Sequence, residues 1–204
     1  HHLGYESVRL PEGKMASRTG NNILYADFRD ELLNAARLEI EKRVKIPEAE
    51  LKTRALAIAI AAIKYSMLKQ DTNKVIIFNK EEAIKFEGDT GPYLLYSYAR
   101  AQSVLRNAKN NKGSSNIEIN NYERHLLNEL SKFPEIVAHA NEQFNVAAIA
   151  HYAYTLAQTF NEFYHACPVI GSDNEGFRIR LVKAFCQVME NTMHLLGINL
   201  LKEM

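Results

Sequence analysis

Long apolar runs are missing from this chain. The longest, Ala55 to Ile63, holds nine residues, about half of the ~20 that cross a bilayer, and no charged-then-apolar leader opens the sequence. A membrane or secretory protein is therefore not expected. Cysteine is scarce too: Cys167 and Cys186 stand alone without a CxxC pair. They are expected to be free core thiols of a cytoplasmic protein rather than parts of a disulfide scaffold. Excess charge of either sign is also lacking, since 25 Lys and Arg face 24 Asp and Glu. Such a balance excludes a non-specific polyanion binder, so any nucleic acid must be met by a local patch.

Metal and hydrolase chemistry are likewise poorly supplied. His165 and Cys167 are the only close His/Cys pair, and Cys186, His194, His151, His125 and His139 show none of the paired spacings of zinc sites. No metal ligands are assigned. A G-x-S-x-G elbow is absent, so nothing points to a nucleophilic serine. His1 and His2 carry no assignment.

What is present is a foldable, mostly helical chain. With 204 residues, 47% of them hydrophobic, it is long enough for one large domain, or one domain and a piece of another. Gly4 to Gly20 is turn-rich, with a β-like piece from Tyr5 to Leu10. A helical period starts near Phe28, with Leu32, Ala35/Ala36, Glu39/Ile40 and Val44 marking its rows, and Pro47 limits it. Leu51 to Leu68 is apolar on more than one face and reads as a buried central helix. Val75 to Phe78 is β-like, and Asn79 with Glu82 reads as the start of a short helix.

Gly91-Pro92 opens a helix that runs from Tyr93 to Ala108. Asn110 to Asn116 is a turn-forming loop, expected to be the most mobile segment. Further helices are expected over Tyr122 to Ser131, Pro134 to Glu142, Val146 to Ala166 and Phe177 to Leu196. Asn145 is placed to cap the third of these, with Pro168 beyond its end, and Gly197 to cap the last.

Two groups of residues suit chemistry. Between the glycines of Gly13 to Gly20 lie Lys14, Met15, Ser17, Arg18 and Thr19, a basic, hydroxyl-rich loop suited to gripping a phosphate chain without Walker A spacing. The structural alternative is a solvated basic turn. On the helix after Pro92, Tyr93, Tyr96 and Arg100 fall at i, i+3 and i+7 on one face. No acidic residue occurs from Thr90 to Ile117, while Arg100, Arg106, Lys109 and Lys112 do. Tyrosine faces and a guanidinium plane suit stacking on unpaired bases and meeting phosphates; the alternative is a stripe packed in a helical core. Phe160 and Phe163 read as core, with Tyr164 able to reach outward.

Three segments together resemble the arginyl-tRNA synthetases of class I. Lys14-Met15-Ala16-Ser17-Arg18-Thr19-Gly20-Asn21 is similar to their version of the Lys-Met-Ser-Lys-Ser loop, with Ala16 in place of the usual serine and Ser17 in place of the second lysine. Ala62-Ile63-Lys64-Tyr65 and the run Phe86 to Arg100 resemble their most recognisable C-terminal motif. Leu156 to Tyr164, Cys167-Pro168-Val169, Arg180 to Ala184 and Leu195-Leu196-Gly197 complete the pattern.

The resemblance implies a mainly all-α fold: the end of a Rossmann-type catalytic domain over 1–47, then a helical anticodon-binding domain over 48–204. It implies a fragment of an arginine–tRNA ligase, without the catalytic core and inactive alone. In the intact enzyme ATP and magnesium are co-substrates, and Lys14, Met15, Ser17 and Arg18 form the phosphate loop, with Lys14 and Arg18 in the catalytic role. No cofactor is expected on the fragment itself. The implied tRNA contacts are Gly88 in an Ω-like loop, Tyr93, Tyr96, Arg100, Tyr164 and the terminal Met204. Leu95 departs from the family's frequent glutamine. The expected partners are tRNA and the catalytic domain of the same chain, not DNA or a membrane. The rival reading is a helical protein–protein module docking through the Leu51 to Leu68 helix.

Overall fold

The computed structural model describes residues 2–11, 24–108 and 118–204. The 14–20 loop and the 110–116 segment singled out above lie outside the described residues. The chain divides into two compact units, 1–93 and 94–204. This division differs from the functional boundary expected at 47/48, and helices on either side of that boundary pack on one another within unit 1.

Unit 1 is organised by two helices. Helix α1 (Tyr25–Glu41) buries Phe28, Leu32, Ala36 and Ile40, four residues apart and therefore one stripe. It stops well before Pro47, because the amide of Arg43 bonds back to the Ile40 carbonyl at 2.9 Å and tightens the last turn. Helix α2 (Glu48–Leu68) follows, with Pro47 at its N-cap position and Glu48 and Glu50 in its first turn, where carboxylates complement the helix dipole.

Leu51, Ala55, Ile58, Ala59, Ala61, Ala62, Ile63 and Tyr65 of α2 are all buried, so this is the central helix the sequence suggested. Most of its apolar residues are consumed by its own fold, with Leu56 left exposed, so the docking-module reading is not favoured. A two-stranded parallel sheet completes the unit: β1 (Val8–Arg9) pairs with β2 (Ile76–Ile77) in the register Val8 to Ile76 and Arg9 to Ile77. Phe78 just beyond β2 meets Phe28 edge-on at 4.8 Å. Helix α3 (Lys80–Ala83) is a single turn, capped by Asn79, whose side chain accepts the Glu82 amide.

Helix α4 (Gly91–Asn107) begins where backbone meets backbone. A Cβ on Gly91 would lie 2.3 Å from the Ala61 carbonyl oxygen, so this contact admits no side chain. Thr90 supplies the start of the helix, its hydroxyl accepting the Tyr93 amide at 3.2 Å and donating to the Lys85 carbonyl at 2.6 Å.

Unit 2 holds the rest of α4 with α5 (Asn121–Ser131), α6 (Phe133–Gln143), α7 (Val146–Ala166) and α8 (Glu175–Leu195). Its core contains Leu94, Leu95, Tyr98, Leu126, Leu156, Phe160, Phe163, Val182, Phe185 and Met189, with Phe160 stacked on Phe185 at 4.0 Å. Leu95, the departure from the family pattern, is thus a core residue. Asn120 and Glu123 form a reciprocal capping box at α5. The Glu123 carboxylate, fully buried, also accepts Arg178 Nε at 2.7 Å, while Arg178 Nη1 donates to the Pro168 carbonyl at 2.6 Å. Asn145 caps α7 as expected.

After α8, Gly197 takes φ 65°. Its amide bonds to His194 O, and that of Ile198 to Met193 O, both at 2.9 Å, the paired bonds of a Schellman cap. Both cysteines are buried and free. Asn120 Nδ2 donates to Cys167 Sγ, and burial first, then the charge of Glu190, pushes the Cys186 thiol up to about 12.

Two outcomes follow for stability. Gly91→Ala should lower the unfolding free energy by roughly 2 kcal/mol or more, as overpacked sites do, although alanine ordinarily favours a helix interior over glycine. Denaturant unfolding reads the sign, and Gly4→Ala, whose added methyl meets nothing nearer than 3.9 Å, is the control. For Cys186, an unfolded thiol loses its proton near 9.0 while the folded one holds it to about 12. Its contribution is complete below pH 9 and is lost as pH rises from there towards 12. Stability of Cys186→Ala should therefore fall less steeply across that window than the parent's; an unchanged slope would contradict the assignment.

Candidate nucleic-acid interface

The helical spacing that puts Tyr96 and Arg100 one turn apart on α4 puts Asn161 and Tyr164 one turn apart on α7. The two steps meet. The Arg100 guanidinium lies 4.7 Å from the centre of the Tyr96 ring and 5.1 Å from that of Tyr164, both within cation–π range. Its Nη2 donates to the Tyr96 hydroxyl at 3.0 Å and its Nη1 to Asn161 Oδ1 at 2.5 Å. Beneath them, Asn161 Nδ2 donates to Ser97 Oγ at 2.8 Å.

This cluster is layered. Ser97 is fully buried and Asn161 only 8% exposed, whereas Tyr96 is 39% exposed and Arg100 and Tyr164 are half-buried. Tyr164 stacks on the buried Phe160 at 6.2 Å with 30° between the planes, so its inner face rests on the core. A guanidinium carries only donors. Such a surface offers aromatic faces and N–H groups, which suits a flat, acceptor-rich or anionic partner.

The other residues singled out from sequence have separate places. Gly88 takes φ 73° in the 86–90 turn, and Tyr93 is half-buried in the first turn of α4; both belong to unit 1. The turn is fastened to α2: the Asp89 carboxylate accepts the Tyr65 hydroxyl at 2.5 Å and Lys69 Nζ at 3.0 Å, and Lys69 also donates to the Asp89 carbonyl at 2.6 Å. Arg43 lies over the Phe86 ring at 4.3 Å. Between the turn and α2 is a cavity of about 390 Å³, lined in part by Lys69, Phe78, Asn79, Lys85 and Asp89.

Met204 is half-buried at the end of a tail that Arg106 holds, through the Lys202 carbonyl at 3.0 Å and Glu203 at 3.6 Å. Arg106, counted above among the cations of the acid-free window, is thus engaged by the protein. Lys14, Met15, Ser17 and Arg18 lie outside the described residues. Sequence reasoning missed Ser97 and Asn161, whose pairing spans 64 residues, and the Tyr65–Asp89–Lys69 fastening. For the latter a faint signal existed, Tyr65 and Lys69 being one turn apart on α2.

Comparison with known proteins gives these positions a context. The DALR anticodon binding domain matches residues 94–204. The arginine–tRNA ligase of Borrelia duttonii is 37% identical over 211 aligned positions, covering 100% of this chain and 36% of its own length. That of Pyrococcus abyssi is 38% identical, covering 97% of this chain and 33% of its own length. Among solved structures, the arginyl-tRNA synthetase of Thermus thermophilus superposes with a TM-score of 0.92 at 32% identity, over 100% of this chain and 35% of that one. The chain therefore spans about a third of these relatives. Among the described residues no helix is long and apolar enough to cross a membrane. With a matching region that covers more than half the chain and contains the whole Tyr96–Arg100–Tyr164 cluster, the protein belongs to the DALR anticodon-binding domain family.

Proposed function

We propose that this chain is the anticodon-reading part of an arginine–tRNA ligase, and that Tyr96, Arg100 and Tyr164 contact unpaired bases of the tRNA anticodon loop. The observation that carries the reading is the Arg100 guanidinium set beside two tyrosine rings at an accessible surface of the matched domain. Unpaired bases stack on such rings, and guanidinium donors meet base acceptor edges or phosphates. The acid-free stretch around α4 supports it, because no carboxylate of that segment repels the phosphates. Gly88, Tyr93 and Met204 are assigned as further tRNA contacts on the strength of the family resemblance.

The same resemblance assigns residues 1–47 to the end of the catalytic domain and 48–204 to anticodon binding. Lys14, Met15, Ser17 and Arg18 then form a loop that faces the ATP phosphates in the intact enzyme, with Lys14 and Arg18 as its cations. ATP and magnesium act there as co-substrates, and neither is expected to stay on this chain. The working partners are tRNA and the catalytic part of the same polypeptide, in the cytoplasm.

Binding to a tRNA with an arginine anticodon tests this reading. Tyr96→Ala should cost roughly 1–3 kcal/mol, the value of one base stacked on an aromatic ring. Arg100→Ala should weaken binding and, if a phosphate is its contact, flatten the salt dependence by about one unit of slope. Both variants binding as the parent does, with lowered melting temperatures, would reassign the stripe to packing. A second measurement concerns chemistry. The purified chain should show no arginine-dependent pyrophosphate exchange, since it spans only about a third of the ligases it matches; measurable exchange would refute the fragment reading.

A further inference from the structure

We propose that Asn161 is a positioning residue for nucleotide reading, acting through Arg100, and that Ser97 anchors its amide from behind. The inference rests on the anticodon reading above.

An arginine side chain on an open surface sweeps through many rotamers, and fixing one costs side-chain entropy. Here three groups narrow that freedom: the Tyr96 hydroxyl, the Tyr164 ring and the Asn161 carbonyl oxygen. They are not equivalent. Tyr96 is exposed, so its hydroxyl moves with a ring at the surface, and the Tyr164 ring offers a face without direction in the plane. Asn161 alone is both buried and directional.

The amide is held at each end. Arg100 has only donors, so the oxygen of Asn161 must face it; the NH2 group then falls to Ser97 Oγ at 2.8 Å. Reversal would set the buried NH2 of Asn161 against a guanidinium NH2, and the cost of such a mismatch holds the orientation. Because Ser97 and Arg100 are one turn apart on α4, and Asn161 and Tyr164 one turn apart on α7, the buried pair sits one step below the outward pair. The guanidinium is thereby fixed from below through Nη1, while Nη2 meets the Tyr96 hydroxyl and the side chain stays half-exposed. A base edge or phosphate oxygen then meets donors already in place, and less ordering remains to be done on binding.

The test is equilibrium binding of the whole 204-residue chain to a transcript of a tRNA with an arginine anticodon, for Asn161→Ala, Ser97→Ala, Arg100→Ala and the double replacements with Arg100→Ala. Asn161→Ala is expected to weaken binding about tenfold, within the range of couplings between residues of one network. In the Arg100→Ala background it should add less than about twofold, because a residue acting through Arg100 has nothing left to position. Ser97→Ala should follow the same pattern with a smaller loss, and it decides the matter if Asn161→Ala fails to fold. Parental affinity for Asn161→Ala beside a clear loss for Arg100→Ala would overturn this inference and leave the anticodon reading standing. So would an equal loss in both backgrounds, the signature of a purely structural role. Parental affinity for Arg100→Ala would instead sink the anticodon reading itself.

Discussion

A buried amide bonded to a buried hydroxyl sits at the meeting of α4 and α7, and the accessible face of unit 2 is built outward from it. Ser97 is fully buried and Asn161 nearly so, so each finds its partner inside the protein. Satisfying that need favours one turn of α4 against one turn of α7, because a shift of a helical turn in either direction would break the Asn161–Ser97 bond. Packing alone would be less selective. The stacked Phe160 and Phe185 rings at 4.0 Å supply apolar contact, which tolerates small sliding, whereas a hydrogen bond between side chains does not.

Unit 2 repeats this logic at its other end. Glu123 looks from sequence like an ordinary surface carboxylate at the start of a helix. In the fold it is fully buried, bonded to the Asn120 amide at 2.8 Å and to Arg178 at 2.7 Å. Arg178 in turn reaches the Pro168 carbonyl. One charged pair thus gathers the start of α5, the segment after α7 and the first turn of α8. Removing Arg178 would leave the fully buried Glu123 carboxylate without its counter-charge, a loss of about 3–5 kcal/mol in comparable sites.

Much of the secondary structure was legible because its punctuation is explicit. Asn145 and Pro168 bracket α7, whose ends fall at Val146 and Ala166 as the sequence indicates, and Gly197 closes α8 in a left-handed cap. The start of α1 was less legible: Leu24 at its N-cap position makes no side-chain cap bond, so only periodicity marked it, and the helix begins three residues ahead of Phe28.

The Tyr96–Arg100 stripe was visible as spacing on one helix. Tyr164 was named as an outward-reaching contact, but its support was not visible, since Asn161 and Ser97 lie on different helices and only the tertiary fold pairs them. The roles of Arg106 and Lys69 were hidden for the same reason: charge is read along a chain, but the carbonyls and carboxylates that engage it are assembled in space. Local sequence announces elements and caps; side-chain pairs across elements emerge when apolar burial has chosen the topology.

The state of the two thiols has a practical consequence for spectroscopy. Cys167 is buried beside the Asn120 amide, and Cys186 is buried with its thiol held protonated across the neutral range. Maleimide and iodoacetamide reagents need an accessible thiolate, so the native chain presents an almost silent background to them. A single cysteine introduced on an exposed helix position, such as Gln158 on α7 or Gln187 on α8, would carry a fluorophore or spin label without first stripping the natural thiols from the core. The label's surroundings could then be followed, with and without a bound ligand, in a chain whose interior remains as it evolved.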